Sequence, residues 1–245
     1  MLLPKSQLKV KNMTLKEILS KTELFSGLDE KSLEELCLAS RVRSFKKDGM
    51  ILAQGDPCEG MALVIKGEVA IEIYDQEGDA VMVDLLDNGS CIGEELLFED
   101  DSRFPYTVVS CSTSELCFFT KKAIVSLIDK NTQFQLCFFR LLSSGLLQKN
   151  RHIAILAQKS LRQKVCCFIR ESLVSKDQNE VTLPASREML AKYLAIPRPS
   201  FSRELALLCQ EGILEVEGRK VRIKDRSRLE HIISEDDKES KDEDS

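Results

Sequence analysis

Residues 184–214 read PASREMLAKYLAIPRPSFSRELALLCQEGIL, and this segment predicts two helices joined by a short turn. Ser186 is a suitable N-cap for a first helix that ends at Tyr193. A second helix begins near Pro199, because proline is tolerated at the first helical position, and Gly212 ends it. The order helix, short turn, helix is typical of a helix-turn-helix motif. Apolar side chains recur at helical spacing on both segments: Met189, Leu190 and Tyr193 on the first, and Phe201, Leu205 and Leu208 on the second.

The front of the second predicted helix is polar and basic, as a helix that enters the major groove of DNA requires. An arginine there can bind guanine with two hydrogen bonds or neutralise a phosphate. Residues 213–217 and 221–224 alternate in polarity around Gly218, which indicates a two-stranded wing whose Lys224 lies near the DNA backbone. A merely solvated face is the alternative for these cations. The candidate DNA-binding residues are Arg187, Arg198, Pro199, Ser200, Ser202, Arg203, Arg219 and Lys220.

The charges of the chain are unevenly distributed around a net charge of −5. Residues 181–229 contain ten Lys or Arg against six Asp or Glu, a net +4. Residues 235–245 contain seven acids against two bases, a net −5. The sequence therefore predicts a cationic module followed by an acidic tail, which we expect to be disordered.

The composition, with 245 residues of which 43% are hydrophobic and 31% charged, is typical of a soluble protein of one large or two ordinary domains. No stretch approaches the roughly 20 apolar residues of a membrane-spanning helix, and the first residues lack the apolar core of a secretory signal. These features predict a cytoplasmic protein with no membrane partner. Because no phosphate-binding glycine loop, G-x-S-x-G or H-E-x-x-H motif occurs, we do not expect an enzyme or any catalytic residue.

The nine cysteines and the two histidines, His152 and His231, are scattered without a C-x-x-C pair. This spacing excludes zinc fingers, zinc ribbons and ferredoxin-type clusters, so no metal is expected. In a reducing cytosol the thiols act as small core residues. Redox sensing by one of them is the alternative.

Residues 41–121 differ from the rest of the chain, because short apolar runs alternate with turn signals and seven of the eleven glycines lie here. Strands are predicted at residue 42 and over 50–53, 61–65, 69–74, 81–86, 106–109 and 115–119, with a hairpin loop at 75–79. Short strands at this spacing are typical of a sandwich or barrel. Two predicted helices precede them, over 14–21 and 29–39, and Asp29 caps the second.

A long helix is predicted after residue 131, and it is apolar on two sides. Such a helix needs two partners, which we expect to be its own β domain and a second copy of the same helix. Burial within a monomer is the alternative. One stripe contains Phe134, Phe138, Leu141 and Gly145, and the other contains Phe139, Leu142, Leu146, Ile153 and Leu156. The residues taken as markers of the dimer helix are Phe134, Phe138, Leu141, Leu142 and Gly145. A further helix over 161–173 and a polar loop over 175–180 follow.

This arrangement resembles the Crp/Fnr family of bacterial transcription regulators over about residues 24–223. The resemblance implies an α+β fold with an N-terminal antiparallel β-roll of the cyclic-nucleotide-binding, jelly-roll type, a long dimerisation helix and a C-terminal winged helix-turn-helix. The expected divisions are a lead segment at 1–22, the roll at 23–130, the long helix at 131–158, the winged domain at 159–233 and the tail at 234–245. The residues that carry the resemblance are Leu24-Phe-Ser-Gly-Leu, Gly49, Gly55-Asp56, Ile65-Lys-Gly-Glu-Val, Leu86-Asp-Asn-Gly, Ile92-Gly-Glu and 187–212.

The family implies a homodimer that binds a near-palindromic site on double-stranded DNA, with one recognition helix in each half-site and RNA polymerase as a further partner. Its base-reading positions fall on Arg198, Pro199, Ser202 and Arg203. Much of the family carries a glutamate where this chain has Pro199, so the half-site sequences that are usual in the family should not be assumed for this chain. Arg203 is the residue for which we most expect a specific base contact.

The effector is not specified by the sequence. Cyclic-nucleotide binders of this fold carry a Gly-Glu pair for the ribose and a downstream arginine for the cyclic phosphate. Gly93 and Glu94 match the pair, but Phe104 occupies the arginine position and Arg103 faces away if the strand register holds. No cofactor is predicted. The open alternatives are an unknown small-molecule effector, cyclic AMP or cyclic GMP, cysteine redox sensing, and a roll that serves only as a scaffold. The candidate effector residues are Gly93, Glu94, Arg103, Phe104, Tyr106 and Gln148.

Two other classes of function remain as rivals to a DNA-binding regulator. A cyclic-nucleotide-regulated enzyme or adaptor would need a catalytic constellation that the sequence lacks. A purely structural role for the β-roll protein would not explain the exposed Arg198 and Arg203 near the start of the second predicted helix.

Overall fold

The structure is a computed structural model that describes residues 13–74, 80–173, 178–183 and 186–234. The expected lead segment up to residue 12, the hairpin loop at 75–79, residues 175–177 of the polar loop and the acidic tail at 235–245 lie outside the described residues. The chain divides into two compact units, and the division falls between Leu146 and Leu147. Within the described ranges, no helix has the length and apolarity that crossing a lipid bilayer would need.

The N-terminal unit opens with two short helices, α1 (Leu15–Lys21) and α2 (Glu30–Leu38). Thr14 and Glu17 form a capping box at the start of α1. The predicted cap of α2 is confirmed, because the Asp29 carboxylate accepts a hydrogen bond from the Ser32 backbone N–H at 2.8 Å. Such caps satisfy backbone donors that the first turn of a helix leaves unpaired.

Eight strands follow and form the expected antiparallel roll of two four-stranded sheets. One sheet has the order β1-β8-β3-β6 and the other has the order β2-β7-β4-β5. The strands are β1 (Ser40–Phe45), β2 (Met50–Leu52), β3 (Gly60–Lys66), β4 (Val69–Tyr74), β5 (Ala80–Leu86), β6 (Cys91–Ile92), β7 (Thr107–Ser110) and β8 (Ser114–Thr120). A 3-10 turn over Glu94–Leu96 follows β6, and α3 (Lys121–Lys130) follows β8 directly.

The alternation of side chains along β3 and β8 produces two apolar cores. Leu63 and Phe119 belong to a core that includes residues of α1, α2 and α3. Val64 and Leu116 belong to a second core inside the roll, which also contains Phe104 and other side chains of both sheets. The roll is therefore packed on its inside as well as against the helices.

The long helix is α4 (Thr132–Leu156), and its two sides differ in burial. Phe134 and Phe138 are fully buried in the core of their own unit, where the Phe134 ring lies 5.7 Å from that of Phe25. The stripe that contains these two rings therefore meets its own unit, as was expected of one of the two stripes, and Leu141 and Leu142 also pack against that core. The exposed apolar residues lie elsewhere on the helix: Leu136, Phe139, Leu146, Leu147 and Ile153.

The C-terminal unit contains the end of α4 and a winged helix-turn-helix, with a three-stranded sheet of order β10-β11-β9. Buried Phe168, Phe201, Leu208 and Val221 are among its core residues. The third strand and the last helix were not predicted. The elements are α5 (Leu161–Glu171), β9 (Glu180–Thr182), α6 (Arg187–Tyr193), α7 (Arg198–Gln210), β10 (Leu214–Glu217), β11 (Lys220–Ile223) and α8 (Arg226–Ser234).

Candidate nucleic-acid interface

The turn between α6 and α7 is fixed by local backbone geometry. Ser186 caps α6 as predicted, since its hydroxyl accepts a hydrogen bond from the Met189 N–H. Ala195 then adopts the left-handed conformation with φ +52°, which reverses the chain, and the Ile196 N–H donates to the Ala191 carbonyl at 3.0 Å. A break between the helices was predicted from Ala195 onward, but a non-glycine residue in this conformation is uncommon and the left-handed geometry was not predicted.

The helix α7 begins at Arg198, one residue before the predicted start, with Pro199 inside its first turn. Its back consists of Phe201, Leu205 and Leu208, which are all buried as their spacing predicted. Its candidate residues lie in the first two turns of the helix, which we call its front. Arg198, Pro199 and Arg203 are exposed, whereas Ser200 and Ser202 are half-buried.

The charges on this front are held in different ways. Arg198 forms an ion pair with Glu188 of α6, in which Nη1 and Oε2 are 3.7 Å apart. Arg187 and Arg203 are exposed and form no ion pair with any residue that the structure describes. Arg187 and Arg203 are therefore available to an anionic partner, whereas Arg198 is paired with a carboxylate.

A network of charges holds the back of α7 against α5. Arg162 of α5 forms a two-pronged pair with Glu211 and lies 3.4 Å from Glu204. Arg162 lowers the pKa of the Glu211 carboxyl by its hydrogen bonds, while burial raises the pKa of Glu204. Arg228 donates to the Glu211 carbonyl at 2.8 Å. Because its partners are far apart in sequence, the network was not predicted.

The wing is formed by β10 and β11 around Gly218, which has φ +60°. Several of its cations already have partners within the domain. The Arg219 Nε donates to the Leu183 carbonyl at 2.8 Å. Lys220 lies 3.8 Å from Glu180 of β9, and Lys224 lies 3.3 Å from Glu215 of β10. The wing therefore presents less unbalanced positive charge than the front of α7.

The interior of the roll is occupied by the chain itself at the predicted effector positions. Phe104 is only 4% exposed, and its ring lies 5.8 Å from that of Tyr106. The Tyr106 hydroxyl donates to Glu95 at 2.9 Å, and burial, with the neighbouring carboxylates, raises its pKa. Gly93 has φ +82°, and a Cβ at this position would be 3.1 Å from the Phe104 ring. The space beside the Gly-Glu pair is therefore filled by an aromatic ring.

The other candidate effector residues, Arg103 and Gln148, each have surroundings of their own. Arg103 is exposed, and its guanidinium donates to the Gly55 carbonyl at 3.0 Å. Gln148 belongs to the C-terminal unit, where it lines a small cavity together with His152 and Tyr193. His152 stacks on Tyr193 with ring centroids 3.8 Å apart, and its Nε2 lies 2.8 Å from the Tyr193 carbonyl oxygen. This stack secures the end of α4 on α6.

The cysteine thiols are free, and burial disfavours ionisation of several of them. Burial raises the pKa of Cys117 to about 11 and that of Cys166 to about 12, and it also raises the pKa of Cys58. Because the thiolate is the reactive form, these three environments do not favour redox sensing.

Two family models match the chain. The model described as a cyclic nucleotide-binding domain matches residues 42–131, and the Crp-like helix-turn-helix domain matches residues 163–232. The transcriptional activator protein FnrA of Stutzerimonas stutzeri is 23% identical over 193 residues, which cover 77% of this chain and 78% of that protein. The CRP-like cAMP-activated global transcriptional regulator of Mycobacterium tuberculosis (strain CDC 1551 / Oshkosh) is 21% identical over 87% of this chain and 97% of that protein. The solved structure of FixK2 from Bradyrhizobium japonicum superimposes with a TM-score of 0.64 at 20% identity, and covers 80% of this chain and 98% of its own.

Proposed function

The chain belongs to the Crp/Fnr family of transcription regulators, and from that premise we propose that it binds DNA as a homodimer and reads base edges through Arg198 and Arg203. Members of this family regulate transcription by binding specific DNA sequences. The assignment of individual residues, the dimer and the contact with RNA polymerase in the bacterial cytoplasm are proposals.

The observation that carries the proposal is the contrast between the two sides of α7. Its buried back at Phe201, Leu205 and Leu208 packs within the domain, while Arg203 is exposed on the front without an ion pair among the described residues. An arginine with its guanidinium N–H groups free can donate two hydrogen bonds to guanine. We expect Arg187, Arg219 and Lys220 to contact phosphates, which would position the protein on the DNA without selecting bases.

The exposed stripe of α4 supports the homodimer. Phe139, Leu146 and Ile153 follow one another at intervals of seven residues and are 52%, 62% and 64% exposed. Side chains at this interval share one face of a helix, and a second copy of the same helix is the partner that such a face fits. A two-fold contact along α4 would place one α7 in each half of a near-palindromic site.

A cyclic nucleotide is disfavoured as the effector by the contents of the roll. The Phe104 ring lies against Gly93, and the two carboxyl groups of Glu94 and Glu95 interact with the neighbouring Tyr106. A buried cyclic phosphate without a cation would be costly. We therefore propose that the roll acts without cyclic AMP or cyclic GMP, and calorimetry with each nucleotide tests this point. Tight binding of either would contradict it.

The DNA-binding proposal is tested with sites selected from a random library and with unrelated DNA of equal length. Arg203→Ala should reduce the preference between bases at one position of each half-site, and Lys220→Ala should weaken binding to all sequences alike. Affinity should fall steeply with salt in both cases. An equal loss in the two variants, or an unchanged base preference in Arg203→Ala, would contradict the assigned roles.

A further inference from the structure

The front of α7 has one carboxylate beside it, and that carboxylate comes from the preceding helix. Glu188 and Arg198 are 60% and 66% exposed, and their charged atoms are 3.7 Å apart. The first turn of α7 contains no acidic residue of its own. Among the described residues, no other carboxylate forms an ion pair with Arg187, Arg198 or Arg203.

The local backbone places these two side chains together. The Ser186 cap sets the start of α6, so that Glu188 falls in its first turn. The reversal at Ala195 then brings the first residue of α7 next to that turn. Pro197 and Pro199 flank Arg198, and each proline ring fixes its own φ. The backbone that carries the guanidinium is therefore restricted on both sides.

The pair has little to contribute to folding, because exposed ion pairs are nearly neutral for stability. It has a direct effect on the direction of the guanidinium. Nη1 of Arg198 lies 3.7 Å from the Glu188 carboxylate, which is an ion-pair distance, so the N–H groups of the planar fork can still donate to the O6 and N7 atoms of guanine. The carboxylate also repels phosphate, which opposes a shift of Arg198 from the bases to the DNA backbone.

We infer that Glu188 is a specificity-determining positioning residue, which holds Arg198 toward one guanine in each half-site. This inference rests on the proposed function. It predicts opposite changes in two quantities, the affinity for unrelated DNA and the discrimination between bases. Removal of the acid should strengthen binding to unrelated DNA, because a negative charge leaves the interface, and should weaken discrimination at one base position.

The experiment uses the full chain and the preferred site obtained by selection from a random library. Dissociation constants are measured for that site, for its single-base variants and for unrelated DNA over a series of salt concentrations. The variants are Glu188→Gln, Arg198→Ala and the double variant. Glu217→Gln is the matched control, because it removes an exposed acid from the wing and leaves the front of α7 unchanged.

Glu188→Gln should lose roughly ten- to hundredfold discrimination at the position that Arg198→Ala also affects. Its salt dependence on unrelated DNA should become steeper by roughly 0.9 per subunit in the log–log slope, as one more cation meets phosphate. In the Arg198→Ala background the same change should have no effect on discrimination, and Glu217→Gln should leave discrimination unchanged. Thermal unfolding midpoints should be equal in all variants.

Two outcomes separate this inference from the proposal beneath it. The inference is overturned if Glu188→Gln keeps the full base preference, or if the change reduces that preference by the same factor in the Arg198→Ala background. In either case the regulator itself remains sequence-specific. If the unchanged protein selects no preferred site, the proposed function fails.

Discussion

Replacement of Leu146 by Asp should separate the proposed homodimer into monomers. Complete burial of a leucine side chain contributes about 1.5–3 kcal/mol. Leu146 is 62% exposed, so a partner that covers it gains about 1–2 kcal/mol from each copy, or about 2–4 kcal/mol for the pair. Truncation to Ala should therefore raise the dimer dissociation constant roughly 30- to 1,000-fold. Asp should raise it further, because the two-fold contact places two carboxylates together.

Sedimentation velocity over a range of protein concentrations measures this change. Ser144→Asp is the matched control, because Ser144 is exposed on the same helix but lies about 160° around the axis from Leu146. The control should sediment as a dimer at concentrations where Leu146→Asp is a monomer, with equal helix content by circular dichroism. If the two variants sediment alike, the exposed stripe of α4 is not the subunit contact and the reasoning is refuted.

Three further predictions concern single residues outside the proposed DNA interface. Phe104→Ala should lower the free energy of unfolding by about 3–5 kcal/mol in urea titrations, because it removes a buried ring, and a loss under about 1 kcal/mol would show that the ring does not fill the roll. Gly145→Ala should raise stability by about 0.5–1 kcal/mol, because a Cβ there meets nothing within 4 Å in mid-helix, whereas a loss of stability would place Gly145 in a close contact with a partner. Iodoacetamide at pH 8 should label Cys166 only through unfolding, because burial raises the pKa of its thiol to about 12 and keeps it protonated. Because burial disfavours the thiolate only in the folded chain, this thiol should leave the free energy of unfolding unchanged below about pH 8.5 and lower it as the pH rises toward 12. Rapid labelling of the folded chain at pH 8 would contradict this prediction.

The elements that local signals define could be predicted from the sequence. Asp29 and Ser186 were recognised as caps because a side chain and a backbone N–H three residues later suffice to form them. The strands with apolar runs were recognised by their spacing. In contrast, β6 has two residues, too few for any periodicity, and β9 gains its role only by pairing with β11 across a long separation in sequence.

The faces of α4 show where sequence reasoning ends. Two apolar stripes were evident, but the period of a helix does not say which stripe meets the roll. Only the packing shows that Phe134 and Phe138 are internal and that Phe139 and Leu146 are exposed. The pairs Arg162–Glu211 and Glu188–Arg198 were missed for the same reason, because each joins two helices whose relative placement is a tertiary property.

The continuity of α4 limits how its length can change. Phe138 is buried near one end and His152 near the other, and fourteen residues separate them, which is close to four helical turns. Insertion of one residue into the helix would turn the side chains that follow it by about 100° around the axis, whereas insertion of seven would nearly restore their direction. Insertions into α4 should therefore keep both anchors buried only when they preserve this phase.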